Sequence, residues 1–285
     1  MSYLKLQTQF ANNAVIIVDG LKSTDLQTAR LLNEDLLDFQ ASSEGHKTLI
    51  QLEKVSTRRE LVAFLTDLIP VCKEGLRPII HFECHGNNLM GLGIGDAQER
   101  LSWADLVNLL SSINTATKNN TGVVMATCHG FYALTPLTID HPCPFFFLIG
   151  SQEIVPAGVF GKQMKEFYKA LFRSGALEPA MAQLDDRFKQ FLAEKFFATV
   201  WARNLKKHGI GKGLSARREH LVTMALDEGR RSGNNLSVKV VRSLVKKLAP
   251  LRKETFDAQA NRFLHGKSGL NFYDILKFVK SGSTK

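Results

Sequence analysis

At 285 residues, 44% hydrophobic and 22% charged, the chain is long enough for a well-buried core and excludes a disordered or low-complexity protein. Its net charge of +10 is unevenly spread: residues 1–179 hold 15 Lys and Arg against 18 Asp and Glu, whereas residues 180–285 hold 22 against 9. That break marks the expected domain boundary, at 178/179, between an α/β domain and a basic, mostly helical C-terminal region.

In chain order, residues 1–13 read as a short lead-in. Ala14–Val18 reads as a buried strand, and Thr24–Phe39 as a helix with Leu26, Ala29, Leu32, Leu36 and Phe39 at helical spacing. Lys47–Val55 is a second strand whose partly polar alternation suits a sheet edge. Thr57 and Glu60 have capping-box spacing and open the next helix. Arg77–Cys84 is the third strand. The glycine-spaced run from Gly86 to Asp96 suggests a small hairpin; it lacks the Lys-Ser/Thr of a phosphate-binding loop. Ser102–Ile113 reads as a helix, Val123–Thr127 and Phe145–Ile149 as further strands, and Val159–Phe172 as another helix. Arg173–Pro179 reads as a linker. Beyond it a stripe from Leu184 to Trp201 suggests a long helix, broken at Lys206–Leu214. Helices opened by Ser215 and Ser237 and a short one over Asn271–Val279 complete the chain.

Recurring strand–helix units predict a mostly parallel sheet covered by helices. The right-handed crossover from Arg77–Cys84 to Val123–Thr127 makes those strands parallel neighbours, and ligands collect at the carboxyl ends of such strands. Each of the two ends in a reactive cluster, Cys84-His85-Gly86 and Cys128-His129-Gly130. Cys128 alone reads equally well as a small buried hydrophobe and His85 as a structural histidine. Together they read as a thiol nucleophile and its proton-transfer partner. Gly86 and Gly130 would let a substrate backbone approach closely. Cys84, His85, Cys128 and His129 also form a nominal zinc set, but successive side chains on a strand diverge, so no metal or other cofactor is expected.

Four cysteines are too few for a disulfide scaffold, and no apolar run approaches eighteen residues. With no secretory-signal pattern at the N-terminus, the expectation is a cytoplasmic protein without a membrane partner.

The motifs Ile79-Ile80-His81-Phe82-x-Cys84-His85-Gly86, Leu101-Ser102-Trp103-x-x-Leu106 and Val123-Val124-Met125-Ala126-Thr127-Cys128 resemble the caspase-like cysteine peptidase superfamily, most closely its CHAT-type branch. The resemblance spans residues 14 to about 175. It implies a three-layer α-β-α sandwich and an endopeptidase with His85 and Cys128 as a catalytic dyad. The backbone N–H groups of Gly86 and Cys128 would form the oxyanion hole, and no third carboxylate would be required. It also implies a protein or peptide substrate and regulated proteolysis in a prokaryotic stress or defence pathway, with a separate activator or sensor protein. Where caspases place a glutamine two residues before the nucleophile, this chain has Ala126, and no arginine is placed to bind an aspartate side chain. The loop acids Asp19, Asp25, Asp96 and Glu153, with Ala126, Ser151 and Gln152, are therefore the substrate-binding candidates, for a basic or small polar residue before the scissile bond. Glu153 and Asp19 lead that set. The alternative is a nucleic-acid-binding or protein-docking module acting through the basic region with the first domain inactive.

Overall fold

The structure, a computed structural model, describes residues 9–42 and 48–282. Six strands form one sheet in the order β2-β1-β3-β7-β8-β9: β1 (Ala14–Asp19), β2 (Leu49–Lys54), β3 (Pro78–Glu83), β7 (Gly122–Met125), β8 (Phe147–Ser151) and β9 (Phe188–Leu192). The first five are mutually parallel; β9 runs antiparallel to β8. β1 and β3 are buried at every position, as expected of strands covered on both faces. β2 stands at the sheet edge, and its polar alternation follows from that place; the expected start at Lys47 lies outside the described residues.

Helices α1 (Thr28–Ala41) and α4 (Ala157–Ser174) pack on each other. They share one core with Val15, Ile17, Ile79, Val124, Phe147 and Ile149. Helices α2 (Arg58–Lys73) and α3 (Trp103–Ala116) pack together, and right-handed crossovers put them on the other face. The result is an α/β fold whose mostly parallel six-stranded sheet is compatible with a three-layer sandwich. The Thr57 hydroxyl accepts the Glu60 N–H at the start of α2, and the Ser102 hydroxyl accepts the Asp105 N–H at the start of α3. The anticipated hairpin is a three-stranded antiparallel sheet of β4 (His85–Asn87), β5 (Gly91–Ile94) and β6 (Glu99–Leu101).

Two expectations are corrected. A short helix, α5 (Leu177–Met181), starts inside the expected linker, and the stripe beyond it contains strand β9 in place of one long helix. Phe188 and Phe191 are buried while Lys189 and Gln190 are exposed, and the Phe191 ring meets Phe145 edge-on. The unpaired edge of β8 offers that segment a full ladder, which outweighs helix propensity. Among the described residues, one compact unit runs from residue 9 to Ala193 and includes Arg262–Lys267.

The other unit comprises Glu194–Asn261 and the chain from Ser268 onward. It holds α6 (Ala193–Asn204), a π-helical turn at Leu205–Gly209, α7 (Gly211–Arg231), α8 (Val238–Leu248), α9 (Lys253–Phe263) and α10 (Phe272–Lys280). Trp201, Phe197, Phe256 and Phe272 form its aromatic core. The Asn271 side chain caps α10, whereas Ser237 precedes α8 without a side-chain cap bond.

Candidate active site

The ends of β3 and β7, paired in parallel from Ile79–Gly122 to Phe82–Met125, bring their following clusters together. After Met125 the chain turns: the Gly130 N–H donates to the Thr127 carbonyl, and His129 takes a left-handed conformation at φ 59°. A Cβ on Gly86 would stand 1.9 Å from the Cys128 carbonyl oxygen and 2.0 Å from Thr127 Oγ1. Glycine at 86 therefore serves the approach of the two strand ends to each other rather than the approach of substrate. Gly130 likewise admits the Met125 side chain, 2.4 Å from where a Cβ would be.

His85 opens β4 with its side chain 45% exposed, and its Nε2 lies 2.8 Å from Asp25 Oδ2. The same oxygen accepts the Lys22 N–H at 2.8 Å. Burial alone would raise the Asp25 pKa. The Lys22 N–H, the His85 hydrogen bond and the nearby positive charges outweigh it and hold the carboxyl below its ordinary range. An ionised carboxylate only accepts, so Nε2 carries the proton and Nδ1 is left for other partners. Asp25, expected as a substrate contact, is hydrogen-bonded to the His85 ring and the Lys22 N–H. The structure makes β1 and β3 parallel neighbours, so the loops that follow them share one edge, a pairing the sequence alone did not indicate.

Cys128 is half-buried; Cys72, Cys84 and Cys143 are buried. Burial pushes the Cys72 thiol up to about 11 and the Cys84 thiol up to about 12, and Cys143 is raised further still. The Cys84 sulfur packs beneath Gly20, 2.7 Å from where a Cβ would stand. The Cys128 sulfur lies 4.0 Å from the Val155 carbonyl oxygen, and no hydrogen bond among the described residues joins it to His85. The Cys128 N–H has no partner among the described residues, so it is free to stabilise negative charge on a bound carbonyl oxygen. Gly86 lies within β4, opposite Leu92.

The remaining candidates separate by what already holds them. Asp19 is 4% exposed; it accepts the Leu21 N–H and pairs with Lys54 Nζ at 3.1 Å, so both of its carboxylate oxygens are already engaged. Asp96 accepts both the N–H and hydroxyl of Ser23, at 2.7 and 3.0 Å, and tethers the β5–β6 turn to the loop after β1. Those two bonds lower its pKa. Ala126 is buried in the core. Ser151 is fully buried, and its hydroxyl accepts the Glu153 N–H. The Gln152 carbonyl accepts a hydrogen bond from His129 Nδ1 at 2.8 Å, and the Glu153 carbonyl accepts the His129 N–H. His129 thus clips the Cys128 turn to the β8–α4 loop, and its ring is committed there. The Glu153 carboxylate is exposed and makes no ion pair among the described residues.

Leu26, expected on the first helix, instead precedes α1 and is 59% exposed; Leu89 (86% exposed) lies in the β4–β5 turn and Ile154 (77%) in the loop after β8. Among the described residues, no group of three or more His, Cys, Asp or Glu side chains is disposed to hold a metal. No helix among them is long and apolar enough to cross a membrane. No protein-family model matches the chain, and no curated protein matches it in sequence.

Proposed function

We propose that the chain is a cysteine-type endopeptidase of caspase-like fold, with Cys128 as nucleophile and His85, oriented by Asp25, as its proton-transfer partner. The observation that supports this reading is that three groups follow the carboxyl ends of the neighbouring parallel strands β1, β3 and β7. These are the single half-exposed thiol, a histidine two residues past the adjacent strand, and a carboxylate 2.8 Å from that histidine. The Cys128 thiol passes its proton to His85 Nδ1, the thiolate attacks the scissile carbonyl carbon, and the C–N bond breaks as His85 passes that proton on to the leaving amine. Water then hydrolyses the thioester and regenerates the thiol. The Cys128 N–H, with Gly86 across from it, supports an oxyanion site.

With Asp19, Asp25 and Asp96 already engaged, Glu153 is the acid left to select a basic residue before the scissile bond. A mixed peptide library tests both points. Cleavage should vanish in Cys128→Ala and fall about 10²–10⁴-fold in His85→Ala. Basic peptides should lose their advantage in Glu153→Gln. Cleavage that survives Cys128→Ala overturns the peptidase reading; equal rates for basic and acidic peptides in the wild type remove the role of Glu153.

A further inference from the structure

We propose that the buried carboxylate of Glu83 is a positioning residue that sets the Asp25–His85 pair through the first turn of α1. His81, Glu83 and His85 recur at every second position of one chain segment. Glu83 is 2% exposed and His81 fully buried, where unpaired polar groups are costly and a plain aliphatic pair would suffice for packing. Every polar atom of this pair is engaged. Glu83 Oε1 accepts from His81 Nε2 at 3.1 Å, and Oε2 accepts the Thr28 hydroxyl at 2.8 Å. The far side of the His81 ring, Nδ1, shares a hydrogen bond with the Tyr168 hydroxyl at 3.0 Å. Burial, then the Glu83 charge, raises the Tyr168 pKa well above its ordinary value, so that hydroxyl keeps its proton.

The geometry of the loop gives this network its consequence. The Glu83 carbonyl accepts the Gly20 N–H at 2.9 Å, while its side chain holds Thr28. One residue therefore staples both ends of the 20–28 loop that presents Asp25. Between those ends the loop is braced from within, with the Gln27 side chain donating to the Lys22 and Asp25 carbonyls. Thr28 begins α1, so an anionic Glu83 at that terminus also meets the positive end of the helix. Release of Thr28 frees the end of the loop nearest Asp25, three residues away, and loosens the bond that fixes the His85 tautomer.

This inference rests on His85 being the working histidine, and its test does not need turnover. The imidazole of His85 is observed in the full chain by nitrogen NMR, reading the tautomer and the exchange rate of its Nε2 proton. Thr28→Val keeps the shape and removes the hydroxyl; Thr28→Ser restores it. We expect Thr28→Val to speed exchange of that proton about tenfold or more and to mix the tautomers, with Thr28→Ser at the wild-type rate. Glu83→Gln should act in the same direction, and Asp25→Asn is the reference for complete loss. An Asp25→Asn effect without one in Thr28→Val, in a chain with unchanged thermal unfolding, overturns the inference. Should Thr28→Val act on His85 while Cys128→Ala leaves peptide cleavage intact, the peptidase reading fails and the positioning role of Glu83 stands.

Discussion

The proposed chemistry rests on differences among four thiols. Raised to about 11 and about 12, Cys72 and Cys84 are almost wholly protonated near neutral pH, and Cys143 is further so. Their burial also denies access, whereas Cys128 sits half-buried at a turn. Iodoacetamide at pH 8 should therefore label Cys128 at least about a hundredfold faster than the other three, as read by peptide mass mapping of the folded protein. Comparable labelling of all four would remove the argument for Cys128 as nucleophile. The histidine side of the site has its own dependence on acid. Asp25 is held below its ordinary pKa, so its support of His85 is complete above the ordinary carboxylate range and disappears as pH falls through the lowered value. In Asp25→Asn that acid-side dependence of activity should be absent.

At the scale of elements, the sequence made the two strand ends legible because hydrophobic runs, glycines and a crossover helix leave few topologies. It also made the hairpin, the Thr57 and Ser102 caps and the α10 start legible, each resting on a local rule. Less accessible were features made by distant partners. β9 forms because β8 offers an edge, and α9 carried no opening signal strong enough to separate it from the loop after Pro250. Asp19 ends β1 and Asp25 lies in the loop after it, and the partner of each carboxylate, Lys54 or His85, comes from a distant part of the chain. Gly86 shows how an element boundary can be misread from residue type alone. Glycine there suggested room for substrate, yet the space is taken by the backbone of Cys128. Gly86→Ala should therefore push β4 away from the β7 turn, costing about 1–3 kcal/mol in denaturant unfolding and removing activity together. Wild-type stability in that variant would show that the close contact is not obligatory.

Across the whole molecule, the charge break near residue 179 does not coincide with the structural division, because the chain returns to the sheet-bearing unit at Arg262–Lys267. Left-handed residues His265 and Gly266 shape this segment. The Phe263 carbonyl accepts the Cys143 N–H at 2.9 Å, and His265 Nε2 lies 2.8 Å from the Cys143 carbonyl oxygen, which also accepts from Asn114 at 2.8 Å. Burial lowers the His265 pKa, partly offset by the bond to Cys143. The folded chain then binds fewer protons at this site than the unfolded chain. Stability should be full above the ordinary value of 6.5 and fall as pH drops below it toward the lowered value. His265→Ala should flatten that slope in thermal unfolding and cost about 1–3 kcal/mol at pH 7.5, since the Cys143 carbonyl loses one of its two donors. A chain ending at Ala193 keeps every strand but lacks the returning segment, so it should melt lower and expose Cys143 to alkylation that the full chain resists. If Cys143 stays protected there and the acid slope persists in His265→Ala, residues 262–267 merely rest on the first unit, and the sheet-bearing unit is complete without the basic half of the chain.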